Sequence, residues 1–124
     1  MTLELCVLAS GSAGNASIVR SPSGVLLIDA GIGPRTLAER LNGTGVGLVD
    51  ISAVCLTHLD GDHFSSSLRA TLRRLNIPIY CHADQVDFLV ERAPDLIQLI
   101  RPFGVAAFSP IDGLACDPVR FAHD

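Results

Sequence analysis

The chain has 124 residues, which is the size of a single domain with a core of its own. Hydrophobic residues make up 48% of it and charged residues 18%, a composition that excludes intrinsic disorder. The net charge of −4 excludes the generally basic surface that binds nucleic acid or anionic membranes non-specifically. We therefore expect one globular domain that covers residues 1–124.

Short apolar runs predict a series of β-strands. The first three follow one another closely, and the turn-forming sequence Ser21-Pro22-Ser23-Gly24 predicts a hairpin between the second and the third. The predicted strands are residues 3–9, 16–20, 25–28, 51–56 and 77–81, with two or three more in the last part of the chain.

Helical periodicity predicts three helices between these strands. In the first, Pro34 suits the opening turn, Leu37 and Leu41 share one face, and Gly43 is placed to end it. The other two are predicted over residues 65–75 and 84–91. The resulting order is β-β-β-α-β-α-β-α-β-β, which is typical of the α/β class.

The N-terminus and the cysteines predict a cytoplasmic location. The first ten residues lack a basic segment, and no apolar run approaches the roughly 18 residues needed to cross a bilayer. Cys6, Cys55, Cys81 and Cys116 lie far apart and form no C-x-x-C pair. This spacing favours reduced, mostly buried thiols over a disulfide framework or a cysteine metal site.

Four potential metal ligands lie within six residues, directly after a predicted buried strand. They are His58, Asp60, Asp62 and His63. Imidazole and carboxylate donors together suit zinc, manganese or iron, whereas calcium and magnesium prefer oxygen donors alone. The alternative is an acidic turn in which Asp62 caps a helix that begins near Phe64. The density of ligands favours a metal site.

The same residues resemble a family motif. The segment Thr57-His58-Leu59-Asp60-Gly61-Asp62-His63 resembles the H-x-H-x-D-H motif of metallo-β-lactamase-fold hydrolases and matches three of its four ligand positions. Residues 10–17 are similar to the S-G-S-x-G-N-S loop of the phosphodiesterase-like and exonuclease-like members, and residues 27–31 to the L-I-D-x-G strand end. Residues 121–124 resemble the third motif, which contributes a histidine.

The resemblance implies a ligand set. His58 and His123 would bind a first ion together with Asp60, while Asp62 and His63 would bind a second. One or two zinc ions are implied, with manganese or iron as alternatives, and a metal-bound hydroxide would be the nucleophile. Asp62 is the residue of this set to which we assign a catalytic role.

Further residues are assigned to the surroundings of the ions. Asp29 would orient a ligand, although a simple strand cap is the alternative. Ser10, Ser12 and Asn15 lie in a loop that is either a plain turn or a substrate-facing loop. His82 matches no ligand position of the family, and we interpret it as a structural or surface histidine.

The chain departs from the family pattern in two places. Asp60 stands where the motif has its second histidine, so the first ion would have two imidazoles and one carboxylate. The family's bridging aspartate and final histidine would lie beyond Asp124. The resemblance therefore implies little more than the N-terminal half of an αββα sandwich, which leaves apolar surface for a missing C-terminal half or for a homo-oligomer.

The favoured function is a metal-dependent hydrolase of phosphodiester bonds, with a small-molecule or nucleic-acid-like substrate. The same metals polarise a carbonyl, so an ester, thioester or lactone hydrolase is an alternative within the fold. A non-catalytic metal-binding module and a redox role at a single iron are the alternatives outside it. The 124-residue form is expected to have little activity alone.

Overall fold

Strands β1 to β6 form one sheet in the order of the chain, and β7 and β8 form a separate two-stranded hairpin. The structure is a computed structural model that describes residues 2–119. The strands are β1 (Glu4–Ala9), β2 (Ala16–Ser21), β3 (Gly24–Ile28), β4 (Ile51–Cys55), β5 (Ile79–His82), β6 (Ile100–Phe103), β7 (Phe108–Ile111) and β8 (Leu114–Cys116).

The direction of the strands changes at β3. The first three strands are antiparallel, and the predicted hairpin is confirmed by the pairing of Ser21 with Gly24 across a two-residue turn. From β3 to β6 each neighbouring pair is parallel. Parallel neighbours need a crossover, so each of these connections contains one of the three helices. The predicted element order and the α/β class are confirmed.

The helices are α1 (Pro34–Leu41), α2 (Arg69–Leu75) and α3 (Val86–Arg92). Pro34 occupies the first turn of α1, where its fixed φ favours the helix and its missing N–H is not needed. Leu37 and Leu41 are buried, as their shared face predicts. Among residues 2–119, no helix is long and apolar enough to cross a membrane.

The two faces of the sheet are covered differently. The helices and their side of the sheet enclose the larger core, which contains fully buried residues such as Leu27 and Val54. On the other face, Ile111 and Leu114 of the β7–β8 hairpin pack against Leu26 and Ala53. At the β1 edge three apolar side chains are at least half exposed: Leu3, Leu5 and Val7. Part of the second face is therefore uncovered.

Two predicted boundaries are wrong by a few residues. Strand β5 begins at Ile79 and not at residue 77, because Asn76 adopts a left-handed conformation and the Ile77 N–H closes α2 by donating to the Leu72 carbonyl. The helix predicted over residues 65–75 begins as a 3₁₀ turn over Ser66–Leu68 with Ser65 as its N-cap. The alternative in which Asp62 caps this helix is therefore wrong.

The 3₁₀ segment Pro94–Leu99 was not predicted. It buries Leu96 and Leu99 beside α2 and α3, which explains why this stretch lacks the regular spacing of an α-helix. The cysteines are free as predicted, although only Cys81 is fully buried.

Candidate metal centre

The ends of β3 and β4 bring the first site residues together. Asp29 follows β3 and donates its backbone N–H to the Cys55 carbonyl at 2.8 Å. Asp29 has a φ of 60°, a left-handed conformation that aspartate tolerates better than most residues. The backbone N–H of Thr57, just beyond β4, donates to Asp29 Oδ1 at 2.8 Å. The Asp29 carboxylate thus joins two adjacent strand ends.

The second oxygen of this carboxylate accepts two further hydrogen bonds. The Thr57 hydroxyl donates to Asp29 Oδ2 at 2.7 Å, and His63 Nδ1 lies 2.9 Å from the same atom. Asp29 is only 7% exposed, so its charge needs these donors to offset the loss of water. Because an ionised carboxylate only accepts, His63 carries its hydrogen on Nδ1 and directs the lone pair of Nε2 away from Asp29.

The Nε2 atom of His63 faces the carboxylate of Asp62. His63 Nε2 lies 3.6 Å from Asp62 Oδ2, and both side chains are partly exposed. Two ligands about 2.1 Å from one tetrahedral zinc ion are separated by about 3.4 Å. The pair therefore fits a shared ion, with Asp29 in the position of the carboxylate that commonly orients a metal-binding histidine.

Asn15 also contacts Asp62, through both its side chain and its backbone. Its Nδ2 donates to the Asp62 backbone carbonyl at 3.0 Å and lies 3.3 Å from Asp62 Oδ2. The Asn15 backbone N–H also donates to the Asp62 carbonyl at 2.6 Å. Within its own loop, Asn15 exchanges two hydrogen bonds with the backbone of Gly11. The loop of residues 10–15 is therefore packed directly onto the residue before His63.

A third segment completes this junction. Ala30 donates its N–H to the His63 carbonyl at 2.7 Å, and the Ala30 carbonyl accepts from the Ser65 N–H at 2.7 Å. A Cβ atom on Gly31 would lie 1.9 Å from the Asp62 carbonyl oxygen. Gly31 is therefore required because three backbone segments approach too closely for any side chain.

His58 lies beside His63. The centroids of the two rings are 4.7 Å apart, and their planes are tilted by 46°. His58 Nδ1 lies 3.0 Å from the Thr57 hydroxyl oxygen. The loop thus gathers both imidazoles and the Asp62 carboxylate on one side of the Asp29 carboxylate.

Asp60 lies at the exposed tip of the loop. Its backbone carbonyl accepts from the N–H groups of His63 and Phe64, both at 2.9 Å, which forms the turn. The Asp60 carboxylate makes no hydrogen bond to any residue between 2 and 119. Its predicted role as a ligand stays a prediction.

The other predicted site residues lie elsewhere or cannot be placed. His123 lies outside the described residues. Ser10 and Ser12 are exposed, and their hydroxyls bond to no residue in the described range. His82 accepts from the Asp84 N–H at 3.0 Å and so caps a short 3₁₀ turn, in agreement with a structural role.

Among residues 2–119, no three histidine, cysteine, aspartate or glutamate side chains are grouped closely enough to hold an ion. The described part therefore supplies the facing pair Asp62 and His63, together with the carboxylate that orients His63. This pair offers an imidazole nitrogen and a carboxylate oxygen that face each other, so it could supply two of the ligands of a zinc ion.

Among residues 2–119, the cysteines complete no group of three potential metal ligands. Burial, together with electrostatic repulsion of the thiolate by Cys116, Asp29 and Cys81, raises the pKa of the Cys55 thiol to about 12, and burial is the largest cause. Burial also raises the pKa of Cys81 to about 11. In the metal-free protein both are therefore protonated thiols at neutral pH.

Three residues that shape the loop had no role predicted from the sequence. Thr57 and Gly31 were visible within motifs, but their contacts join residues distant in sequence. Arg92 of α3 donates from its guanidinium to the Leu59 carbonyl and lies 4.8 Å from the centroid of the Phe88 ring. No local pattern signals this contact.

The model of the metallo-beta-lactamase superfamily matches residues 9–118. The chain therefore belongs to this superfamily, and the αββα-type fold implied by the sequence is confirmed by solved structures. A diphosphatase from the PhnP family superposes with a TM-score of 0.66 at 19% identity, covering 87% of this chain and 54% of that chain.

Two curated relatives are similar in sequence. The exodeoxyribonuclease YycJ of Bacillus anthracis is 32% identical over 82 residues, which is 66% of this chain and 31% of that protein. Ribonuclease Z of Mycobacterium marinum is 37% identical over 70 residues, which is 51% of this chain and 24% of that protein. The chain thus spans about a third or less of the length of these relatives.

Proposed function

We propose that the protein is a metal-dependent hydrolase that cleaves phosphodiester bonds in a nucleic-acid-like substrate. The observation that carries the proposal is the facing pair of Asp62 and His63, with Asp29 bound to the far nitrogen of His63. The superfamily membership and the similarity to an exodeoxyribonuclease and a ribonuclease support hydrolysis of a phosphodiester.

The proposed ligand set follows the motif. Asp62 and His63 would hold one ion, and His58 would hold a second together with His123 and Asp60. Zinc is the favoured metal because imidazole and carboxylate donors suit it, and manganese and iron accept the same donors. A bound divalent ion supplies a water-derived nucleophile near neutral pH and stabilises developing charge on a phosphoryl oxygen.

The protein's own residues prepare this site. Asp29 holds His63 in the tautomer whose Nε2 is the donor atom. Asn15 donates to Asp62 through its amide and its backbone, which limits the positions that the Asp62 carboxylate adopts. Ser10 and Ser12 are exposed in the same loop as Asn15, a position that supports a role in contacting substrate.

Three further expectations belong to this proposal. We treat residues 1–124 as one domain, we place the protein in the cytoplasm, and we expect the exposed apolar side chains of β1 to be covered by further chain or by another copy.

The metal part is tested by elemental analysis. Protein purified without chelator is expected to hold zinc, manganese or iron, and the double variant His58→Ala with His63→Ala is expected to lose it. His82→Ala is the matched control, because His82 is partly exposed, caps a 3₁₀ turn and is outside the motif. Native protein without bound metal, under conditions in which related proteins load, would contradict the proposal.

The substrate part is tested with a panel. Because the 124-residue form is expected to have little activity alone, metal-loaded full-length protein is assayed on single-stranded DNA, RNA, a small phosphodiester, a thioester and a lactone. Phosphodiester turnover that the double histidine variant lacks supports the proposal. Turnover of the thioester or lactone alone would instead identify the carbonyl hydrolase, and metal binding without turnover on any substrate would identify a non-catalytic metal-binding module.

A further inference from the structure

Thr57 lies between the Asp29 carboxylate and the first histidine of the motif. Its hydroxyl donates to Asp29 Oδ2 at 2.7 Å, and the same hydroxyl oxygen lies 3.0 Å from His58 Nδ1. A hydroxyl has one hydrogen to donate, and here Asp29 receives it. The hydroxyl oxygen therefore faces His58 as an acceptor, and His58 Nδ1 is the donor.

The second histidine reaches the same oxygen atom directly. His63 Nδ1 lies 2.9 Å from Asp29 Oδ2 and donates to it. One carboxylate oxygen thus sets the tautomer of His63 by direct contact and that of His58 through the Thr57 hydroxyl. In both rings this tautomer places the lone pair on Nε2, the nitrogen that would be the donor atom to a metal.

We propose that Thr57 is a positioning residue that extends the influence of the Asp29 carboxylate to His58, so that one buried carboxylate prepares both imidazoles. The proposal rests on the proposed metal-dependent function, since the tautomer matters only if Nε2 is a ligand. The proposed effect of Thr57 is on which nitrogen of the neutral His58 ring carries the hydrogen, and the charge of the ring does not change.

The contacts of Thr57 allow the hydroxyl to be removed by itself. The Thr57 backbone N–H donates to Asp29 Oδ1 at 2.8 Å, and this bond does not depend on the side chain. Valine is close to threonine in size and position 57 is exposed, so Thr57→Val removes the hydroxyl, and with it one donor to Asp29, without opening a buried cavity. Thr57→Ser restores a hydroxyl and is the matched control.

The test is a measurement of imidazole tautomers by nitrogen NMR on metal-free protein, in mildly alkaline buffer where imidazole is generally neutral. In the wild type, both His58 and His63 are expected to carry the hydrogen on Nδ1. In Thr57→Val, the fraction of His58 that carries its hydrogen on Nδ1 is expected to fall, while His63 is unchanged because it contacts Asp29 directly. Thr57→Ser is expected to return His58 to the Nδ1–H form.

Zinc affinity provides the second readout. Substituting a residue that orients a metal ligand commonly lowers affinity roughly 10-fold to 100-fold, so we expect a loss in that range for Thr57→Val and little loss for Thr57→Ser. An unchanged His58 tautomer in Thr57→Val would overturn the proposal. A parallel change in His63 would also overturn it, since the loop itself would then have moved. Wild-type protein that binds no metal would contradict the proposed function, and the tautomers of the metal-free protein would still decide the role of Thr57.

Discussion

Gly31 is the residue at which the packing of the candidate site is most sensitive to a single added atom. A Cβ at this position would lie 1.9 Å from the Asp62 carbonyl oxygen, 2.4 Å from its carbonyl carbon and 2.7 Å from the Asn15 backbone nitrogen. All three neighbours are backbone atoms, so no side chain can rotate away. We therefore predict that Gly31→Ala forces apart the three backbone segments that meet here, namely residues 14–15, 30–31 and 62–63.

The expected cost follows from the hydrogen bonds that this separation breaks. The Asn15 N–H donates to the Asp62 carbonyl at 2.6 Å, the Gly31 N–H to the Asn15 carbonyl at 2.9 Å, and the Ala30 N–H to the His63 carbonyl at 2.7 Å. A hydrogen bond contributes about 1 kcal/mol net, so the free energy of unfolding should fall by about 3 kcal/mol. Zinc affinity should fall as well, because Asp62 and His63 would no longer be held together.

The assay is urea unfolding of metal-free protein, followed by zinc titration of the variants that fold. Gly61→Ala is the matched control, since Gly61 belongs to the same site loop and an added Cβ there would meet no atom within 4 Å. The control should remain within about 0.5 kcal/mol of wild type. If Gly31→Ala were as stable as Gly61→Ala and bound zinc equally well, the close approach of the three segments would not be needed.

Two further predictions concern Asp60 and Cys55. Asp60→Ala is expected to lower zinc affinity roughly tenfold or more because it removes a proposed ligand, whereas Asp60→His should preserve binding. Zinc affinity is measured by competition with a chelating dye. An unchanged affinity in Asp60→Ala would identify Asp60 as a turn residue only. The pKa of the Cys55 thiol is raised from 9.0 to about 12, so the unfolded chain loses this proton first and stability should fall as the pH rises from about 9 towards 12. At about pH 11 the loss of unfolding free energy should be on the order of 2 kcal/mol smaller in Cys55→Ala than in wild type. Urea unfolding with equal pH dependence in both proteins would contradict the raised pKa of Cys55.

Much of the fold could be predicted because its elements have strong local signals. Residues 25–28 are a continuous apolar run that predicts a strand, and α1 begins with Pro34 and buries Leu37 and Leu41. The errors occur where tertiary contacts determine an element's limits. Ile77 looks like the start of a strand, but its N–H is used to end α2.

In the candidate site, too, local features could be predicted from the sequence and long-range contacts could not. The density of ligands between His58 and His63 could be read from the sequence because the residues are neighbours. The contact of Asn15 with Asp62 joins residues 47 positions apart, and the contact of Asp29 with His63 joins residues 34 positions apart. Periodicity carries no information about such pairs, so the sequence alone leaves Asn15 between a plain turn and a substrate-facing loop.

The contacts around the site separate structural support from the proposed metal binding. Backbone groups of Asn15, Ala30 and Thr57 hold the site loop in place, whereas the Nε2 side of His63 faces Asp62 and takes no part in these backbone contacts. Variants that remove the His63 ring lose a contact to Asp29 but leave these backbone bonds intact. Loss of metal in such variants, accompanied by a fold that still unfolds cooperatively, is therefore evidence about ligands, whereas loss of metal in Gly31→Ala is evidence about the support that positions them.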